Sequence, residues 1–298
     1  MSSVTLACAD LQVVIDAEAG MLCHSLRHKG QEILTQRATV EQYAATGRST
    51  GIPLLYPWAN RLSAFEYAAA GQAVTIARDD PRLHLDPNGL PIHGLRTGAT
   101  GWRVNRPHAV ARLDWAHPEL LEAFPFPHRL TVEYALSKEA LTVTTTVEAT
   151  GACAVPIAFG WHPWLTLPGV ERADWQVDLP VRSRAALDAR QLPTGNSAVC
   201  DAITGALGAQ TFDDLYDGVK DGAVFAISGG DRRIEVAFDR GFTHAQIYAP
   251  LDLDALCIEP MTAPGNALVS GDGLRVIEPG EQFEAQFRIG VFSTPSDQ

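Results

Sequence analysis

The sequence predicts an all-β protein, a large antiparallel β-sandwich with few short helices. Three observations predict it. Apolar and polar residues alternate with period two in segment after segment, the pattern of a strand with one buried face. Turn-forming residues are abundant, with 25 Gly and 19 Pro in 298 residues, as many short strands require. Finally, no helical patterns of about 10–15 residues separate the strands, which excludes a parallel βαβ series.

The elements follow in chain order. Gly30-Gln31 makes a turn before Glu32-Ile33-Leu34, and Val74 and Ile76 follow a Gly71-Gln72 turn. Leu130, Val132, Tyr134 and Leu136 alternate with polar residues, as do Leu141, Val143, Thr145 and Val147. The link between them, Ser137-Lys138-Glu139-Ala140, reads as a hairpin loop. Ile234, Val236 and Phe238 alternate again, and so do Phe283, Ala285, Phe287, Ile289 and Val291. Helical pattern is confined to Val40–Thr46, Pro118–Ala123 and 202–206. The stretch 185–215 shows few clear strands and is expected to be loop that carries part of the site. No Ser/Gly-rich linker, charge run or repeat divides the chain, so 1–298 is read as one domain.

Composition narrows the function. A content of 46% hydrophobic and 19% charged residues is that of a globular protein, and a chain this long buries a sizeable core without staples. A net charge of −12 argues against a nucleic-acid partner, which would call for clustered Lys and Arg. Cys8, Cys23, Cys153, Cys200 and Cys257 are scattered, odd in number and without a C-x-x-C pair. Neither a disulfide framework nor a zinc site is expected, and reduced thiols fit the cytoplasm. The first ten residues lack the basic n-region of a secretory signal. The long uncharged window 151–170 is broken by Pro156, Pro163 and Pro168, which a membrane helix does not readily accommodate. The expectation is a cytoplasmic monomer or homodimer that engages a small molecule, with no nucleic acid and no membrane.

Five stretches carry more than strand or turn text. In Phe159-Gly160-Trp161-His162-Pro163-Trp164-Leu165, Pro163 keeps His162 out of the α region, at a strand end. Trp161 and Trp164 offer flat faces on which sugar rings stack, and an imidazole there can give or take a proton beside a weakly polar substrate. The alternative is a core histidine bonded to a backbone carbonyl. The apolar stretch 51–62 ends in Asn60-Arg61-Leu62. Its amide and guanidinium can bind several hydroxyls, unless Arg61 is merely an exposed arginine. In Pro91-Ile92-His93-Gly94, Gly94 permits close backbone approach, and His93 is either structural or a partner of His162. Glu259, in Ile258-Glu259-Pro260, shares a strand face with Ala255 and Cys257. Desolvation there would raise its pKa and make it a better base near neutrality; the alternative is an exposed strand end. Asp213-Asp214 and Gln246 offer hydroxyl partners, or solvated turns.

The ordered set Asn60-Arg61, Ile92-His93-Gly94, Gly160-Trp161-His162-Pro163, Asp213-Asp214-Leu215-Tyr216, Gln246-Ile247-Tyr248 and Ile258-Glu259-Pro260 resembles the aldose 1-epimerase (galactose mutarotase) family from Gly20 to about Val291. No single motif is specific, but their order and spacing together are. The resemblance implies a β-sandwich with a sugar cleft across one sheet, and interconversion of the α and β anomers of a free aldohexose. It assigns Glu259 as general base on the C1 hydroxyl, His162 as proton donor to the ring oxygen, and His93 as a hydrogen bonder near that oxygen. Asn60, Arg61, Asp213 and Gln246 would hold hydroxyls, and the chemistry requires no metal and no cofactor. Family members often carry Asp-His where this chain has Asp213-Asp214, which leaves the choice between the two aspartates open.

Four readings compete. A hexose-6-phosphate epimerase on the same fold would use a basic patch, for which Arg48, Arg61, Arg82 and Arg96 are candidates. A sugar-binding module without turnover would lack the Glu or the His, and both are present. A metal-dependent hydrolase could use His93 and His162, but the usual close ligand spacing is missing. A glycosidase would need two facing carboxylates, and Glu259 with Asp213 is the pair available.

Overall fold

The computed structural model describes residues 3–96, 101–105 and 109–293. Strand accounts for 52% of the structure and helix for 7%, so the all-β expectation holds. Among the described residues every ladder between strands is antiparallel.

Two large sheets dominate. A nine-stranded sheet runs in the order Arg103–Asn105, Val110–Trp115, His128–Leu136, Ala140–Glu148, Gln282–Ser293, Arg232–Arg240, Ala223–Gly229, Gln176–Leu179, Ile203–Ala206. An eight-stranded sheet runs Pro193–Val199, Ser183–Leu187, Phe212–Tyr216, His244–Ala249, Leu256–Met261, Gly160–Trp161, Leu54–Leu55, with Trp164–Leu165 also paired to Leu256–Met261. The alternating residues named from the sequence, such as Leu130, Val143, Val236 and Phe287, form the inner face of the first sheet. Across from them lie Trp161, Ala245, Ile247, Leu256 and Ile258 of the second. Trp161 joins the two layers. Its ring packs 5.8 Å from Phe287, and its Nε1–H donates to Thr145 Oγ1 at 3.0 Å.

The local expectations mostly hold. His128–Leu136 and Ala140–Glu148 form the predicted hairpin. The helix Val40–Thr46 is closed by a capping box, with Thr39 and Gln42 bonded reciprocally, and by Gly47 in the left-handed region; both devices satisfy end groups the short helix cannot. Pro118–Ala123 is helical, with Pro118 in the first turn, where its missing N–H is harmless.

Two expectations are corrected. Residues 202–206 are not helical: Ile203–Ala206 is the edge strand beside Gln176–Leu179. Gly205 sits at φ 112°, outside the helical region. The stretch 185–215 is not mainly loop, since it holds most of Ser183–Leu187, all of Pro193–Val199 and the start of Phe212–Tyr216. Pro193–Val199 is an edge strand exposed over nearly its whole length. With no buried face it has no reason to alternate, so its sequence lacks the strand signature.

What positions the site is a close approach of the strand Pro91–Leu95 to the segment around Tyr56. The Leu95 N–H donates to Tyr56 O at 2.8 Å, and Gly94, at φ 74°, lies against that same backbone. A Cβ on Gly94 would meet Tyr56 O at 2.1 Å. Gly94→Ala should therefore cost more than about 2 kcal/mol, combining left-handed strain with a backbone clash. Gly71→Ala is the control. Gly71 has φ 77° with nothing near its missing Cβ, so it should lose only the roughly 1 kcal/mol of conformational cost. Urea unfolding of both variants checks this, and equal losses would refute the close-approach argument.

Candidate active site

Three neighbouring strands each place one polar side chain on the face away from the core. In Leu256–Met261, Leu256 and Ile258 enter the core, so Cys257 and Glu259 take the other face. In His244–Ala249 the core takes Ala245, Ile247 and Ala249, which leaves Gln246 and Tyr248 outward. Phe212–Tyr216 sends Phe212 and Tyr216 inward and Asp213 outward. Gln246 pairs in register with Glu259, and its Nε2–H donates to Asp213 Oδ1 at 2.8 Å. A cleft of about 280 Å³ lies over this face.

The other wall comes from turns. His162 follows the Gly160–Trp161 strand, and its backbone N–H donates to Pro53 O at 3.1 Å. The break before Pro163 turns the ring outward while Trp161 goes into the core. The expectation that both tryptophans flank the histidine as sugar platforms is thus corrected: Trp161 is fully buried between the sheets, and only Trp164 lines the cleft. His162 stacks on Trp164 at 4.8 Å and 8°. Trp164 Nε1–H donates to Ser49 Oγ at 2.7 Å, and Arg37 lies 4.2 Å over the same indole.

Asn60 and His93 both sit in the left-handed region, at φ 57° and 63°. Asn tolerates this conformation, but for His it is strained and demands support from its surroundings. The support is mutual. The His93 N–H donates to Asn60 O at 3.0 Å, and Arg61 bridges to Ile92. Arg61 Nε–H then donates to Asp86 Oδ2 at 2.8 Å, its NH1 donates to Asn60 Oδ1 at 3.2 Å, and Asn60 Nδ2 reaches Gln246 Oε1 at 3.3 Å. A polar chain thus runs from Asp86 through Arg61, Asn60 and Gln246 to Asp213.

At its centre His162 Nε2 stands 3.2 Å from Glu259 Oε1, the two residues being 5% and 2% exposed. His93 packs edge-on against His162, 5.4 Å between ring centres. Among the described residues, His162 Nδ1, His93 Nδ1 and Glu259 Oε2 are buried with no hydrogen-bond partner. Three unpaired polar atoms at one spot are costly for folding and suit a polar ligand. The reading of His162 as a core histidine bonded to a carbonyl therefore fails, and so does that of Glu259 as an exposed strand end.

Burial pushes the Glu259 carboxyl well up, helped by Asp213 and opposed by Arg61. Burial, then the Arg37 charge, pushes His162 down to about 3. Burial, followed by His162, Arg61 and His84, lowers His93 well below the ordinary imidazole value. Asp213 is raised by burial, against the pull of Arg61 and Gln246. Both shifts run in the direction that favours a shared proton on Glu259 over the His162 imidazolium.

All seven residues singled out from the sequence, Asn60, Arg61, His93, His162, Asp213, Gln246 and Glu259, line this cleft. Asp213 lines the cleft and accepts from Gln246, whereas Asp214 pairs with Arg184. The proposed basic patch comes apart. Arg48 and Arg61 line the cleft, but Arg82 is bound to Asp80, and Arg96 donates to the carbonyls of Pro81 and Leu83. Sequence reading missed Arg37, Ser49, His84 and Asp86, and named Tyr248 only as part of a motif. Asp86 stands in Asp86-Pro87-Asn88-Gly89 and caps the Asn88 and Leu90 N–H groups, so its text is that of an ordinary turn. Arg37 has no local signal at all. Among the described residues, no three His, Cys, Asp or Glu side chains are grouped to hold a metal ion, and no helix is long and apolar enough to cross a membrane.

Comparison with known proteins gives a consistent picture. The aldose 1-epimerase family pattern matches residues 7–290. The uncharacterized protein YihR of Escherichia coli is 25% identical over 244 residues, covering 79% of this chain and 77% of that one. A galactose mutarotase-like protein from Clostridium acetobutylicum has a TM-score of 0.80 at 20% identity, covering 97% of this chain and 95% of that one. The Slr1438 protein from Synechocystis sp. PCC 6803 gives 0.78 at 22%, covering 98% and 96%. With the family pattern running over nearly its whole length on the fold that these structures share, this chain belongs to the aldose 1-epimerase family.

Proposed function

We propose that the protein interconverts the α and β anomers of an aldohexose by general acid–base ring opening and closure. The observation that carries this reading is the buried contact of His162 with Glu259, 3.2 Å apart, at the floor of a polar cleft. Opening a pyranose needs one group to take the C1 hydroxyl proton and another to give a proton to the ring oxygen. In the reactive form of the pair the proton has moved to His162. Glu259 then accepts from the C1 hydroxyl, and the His162 imidazolium donates to the ring oxygen. The aldehyde turns about C1–C2, and closure reverses both transfers. His93 hydrogen-bonds beside the ring oxygen, and Asn60, Arg61, Asp213 and Gln246 hold the remaining hydroxyls.

Glu259→Gln keeps the shape but cannot accept a proton. Anomer exchange followed by polarimetry or NMR, corrected for the spontaneous rate, should fall about 10²- to 10⁴-fold, and His162→Asn should lose a similar factor. A folded Glu259→Gln protein exchanging at near wild-type rate would remove Glu259 from the mechanism and favour a binding module. Arg61→Ala should raise KM more than it lowers kcat, since Arg61 only holds hydroxyls.

The pH profile follows from the directions of the shifts. The pair is active with one proton and loses activity when it gains a second or releases the first. The second proton enters at the lowered His162 value of about 3, and the first leaves only above the raised Glu259 value. The profile of kcat/KM should therefore be flat through pH 6.5, where an ordinary imidazole of pKa about 6.5 would inflect it. Stability carries the same signs. An unfolded His162 takes up a proton near pH 6.5 that the folded one refuses, so this residue costs stability as pH falls below that value. A clear rate inflection near 6.5 that disappears in His162→Asn would contradict the assignment.

A further inference from the structure

We infer that Asp86 is a positioning residue: it anchors Arg61 and, through Arg61, sets the direction of the hydrogen bonds from Asn60 to Asp213 on which sugar hydroxyls would rest. The inference rests on the epimerase reading of the same cleft and adds to it a residue that acts from behind the binding side chains.

The argument begins with burial. The Asp86 side chain is 1% exposed, and its carboxylate is used inside the protein. Oδ1 accepts from the Asn88 and Leu90 N–H groups at 2.8 and 2.9 Å, and Oδ2 accepts from Arg61 Nε at 2.8 Å and from Asn88 Nδ2 at 3.3 Å. Little of it is left for a ligand. The turn itself does not need the charge. The Asp86 N–H donates to Leu90 O and the Gly89 N–H to Asp86 O, both at 2.9 Å, and a neutral side-chain acceptor would cap the same N–H groups. What calls for a carboxylate here is Arg61, because a buried charge is costly unless its partner offsets the lost hydration.

Direction follows from matching donors to acceptors. Asn60 Oδ1 accepts twice, from the Arg61 backbone N–H at 2.8 Å and from Arg61 NH1 at 3.2 Å, which uses both of its lone pairs. The Asn60 amide nitrogen must then face Gln246 Oε1, at 3.3 Å, and Gln246 in turn gives an N–H to Asp213 Oδ1 at 2.8 Å. The row has a donor end at Arg61 and an acceptor end at Asp213. Of the five donors of a guanidinium, Arg61 spends one on Asp86 and one on the Asn60 side chain, and keeps the rest for the cleft it lines. Asp213 and Glu259 both feel the Arg61 charge. A guanidinium released from Asp86 would have either acid to turn to, and such a pair would undo the row and cover groups that a sugar needs.

The test is a double-mutant cycle on the intact protein. Asp86→Asn keeps an oxygen to cap the turn but sets an amide N–H against the Arg61 Nε–H. KM for glucose anomer exchange, and Kd for glucose from NMR titration, should both rise about tenfold, the weight of one charge-assisted bond, while kcat changes less than KM. In an Arg61→Ala background the same substitution should add nothing to either constant, since its effect passes through the missing side chain. Asn88→Ala disturbs the turn without touching Arg61 and should leave both constants as they are. Urea unfolding checks each variant, and Asp86→Ser, which also caps a turn, replaces Asp86→Asn if that protein does not fold. Wild-type KM and Kd in a folded Asp86 variant would overturn the inference. So would an equal rise with and without Arg61, or an equal rise in Asn88→Ala. A wild-type protein that binds glucose without exchanging its anomers would overturn the epimerase reading alone, because the Kd cycle still decides the role of Asp86. Neither binding nor exchange with glucose or galactose would overturn both.

Discussion

Side chains alternate across a β-strand, and in Phe212–Tyr216, His244–Ala249 and Leu256–Met261 that alternation couples the core to the cleft. Ile258 and Ile247 are fixed by the opposing sheet, so Glu259 and Gln246 have no choice of face. A one-residue slip in register would send the carboxyl into the core and an isoleucine into the cleft, and the core would lose more than any polar pairing could return. Glu259 and Gln246 are thus held in place by hydrophobic packing on the far side of their strands. The same packing keeps Glu259 dry, which is what shifts its proton affinity.

The second constraint is local strain. The 51–62 segment meets the strand Pro91–Leu95 at Asn60 and His93, each in a backbone conformation that non-glycine residues seldom adopt. The exchange of hydrogen bonds between them, the Gly94–Tyr56 approach and the Arg61–Asp86 ion pair hold both conformations at once. None of these contacts is remote from the cleft. The strain lies under the two side chains that would otherwise be free to turn away from a substrate, which is where preorganisation has most effect.

Much of this was legible in the sequence because it obeys short-range rules. Period-two text in 130–136, 141–147 and 283–291 carries the large sheet, and Pro163 and Gly94 mark the strand breaks that aim His162 and His93. Other features were hidden for physical reasons. Pro193–Val199 has no buried face, so no alternation announces it. Trp161 and Trp164 look equivalent in the text, yet one locks the two sheets together and the other is buried beneath His162 and Arg37 at the cleft wall, because a Pro between them breaks the regular alternation. Asp86 reads as a turn residue because it is one; its second role comes from Arg61 arriving from a distant loop. Arg37 takes its meaning wholly from Trp164, 127 positions further along the chain, and no local pattern encodes that.

The contact between His162 and Glu259 also bears on how the site stands toward water. On the proposed mechanism the pair would take one proton and give one at ring opening, do the reverse at closure, and end each anomer exchange in the protonation state in which it began. Nothing must be delivered from bulk solvent or discharged into it. A mechanism of that kind would need no proton wire and no exchange with buffer between turnovers, so its two central groups could be as deeply buried as His162 and Glu259 are here without being isolated from the chemistry. Their desolvation, which would starve a site that consumes protons, is compatible with a cycle that only passes one back and forth.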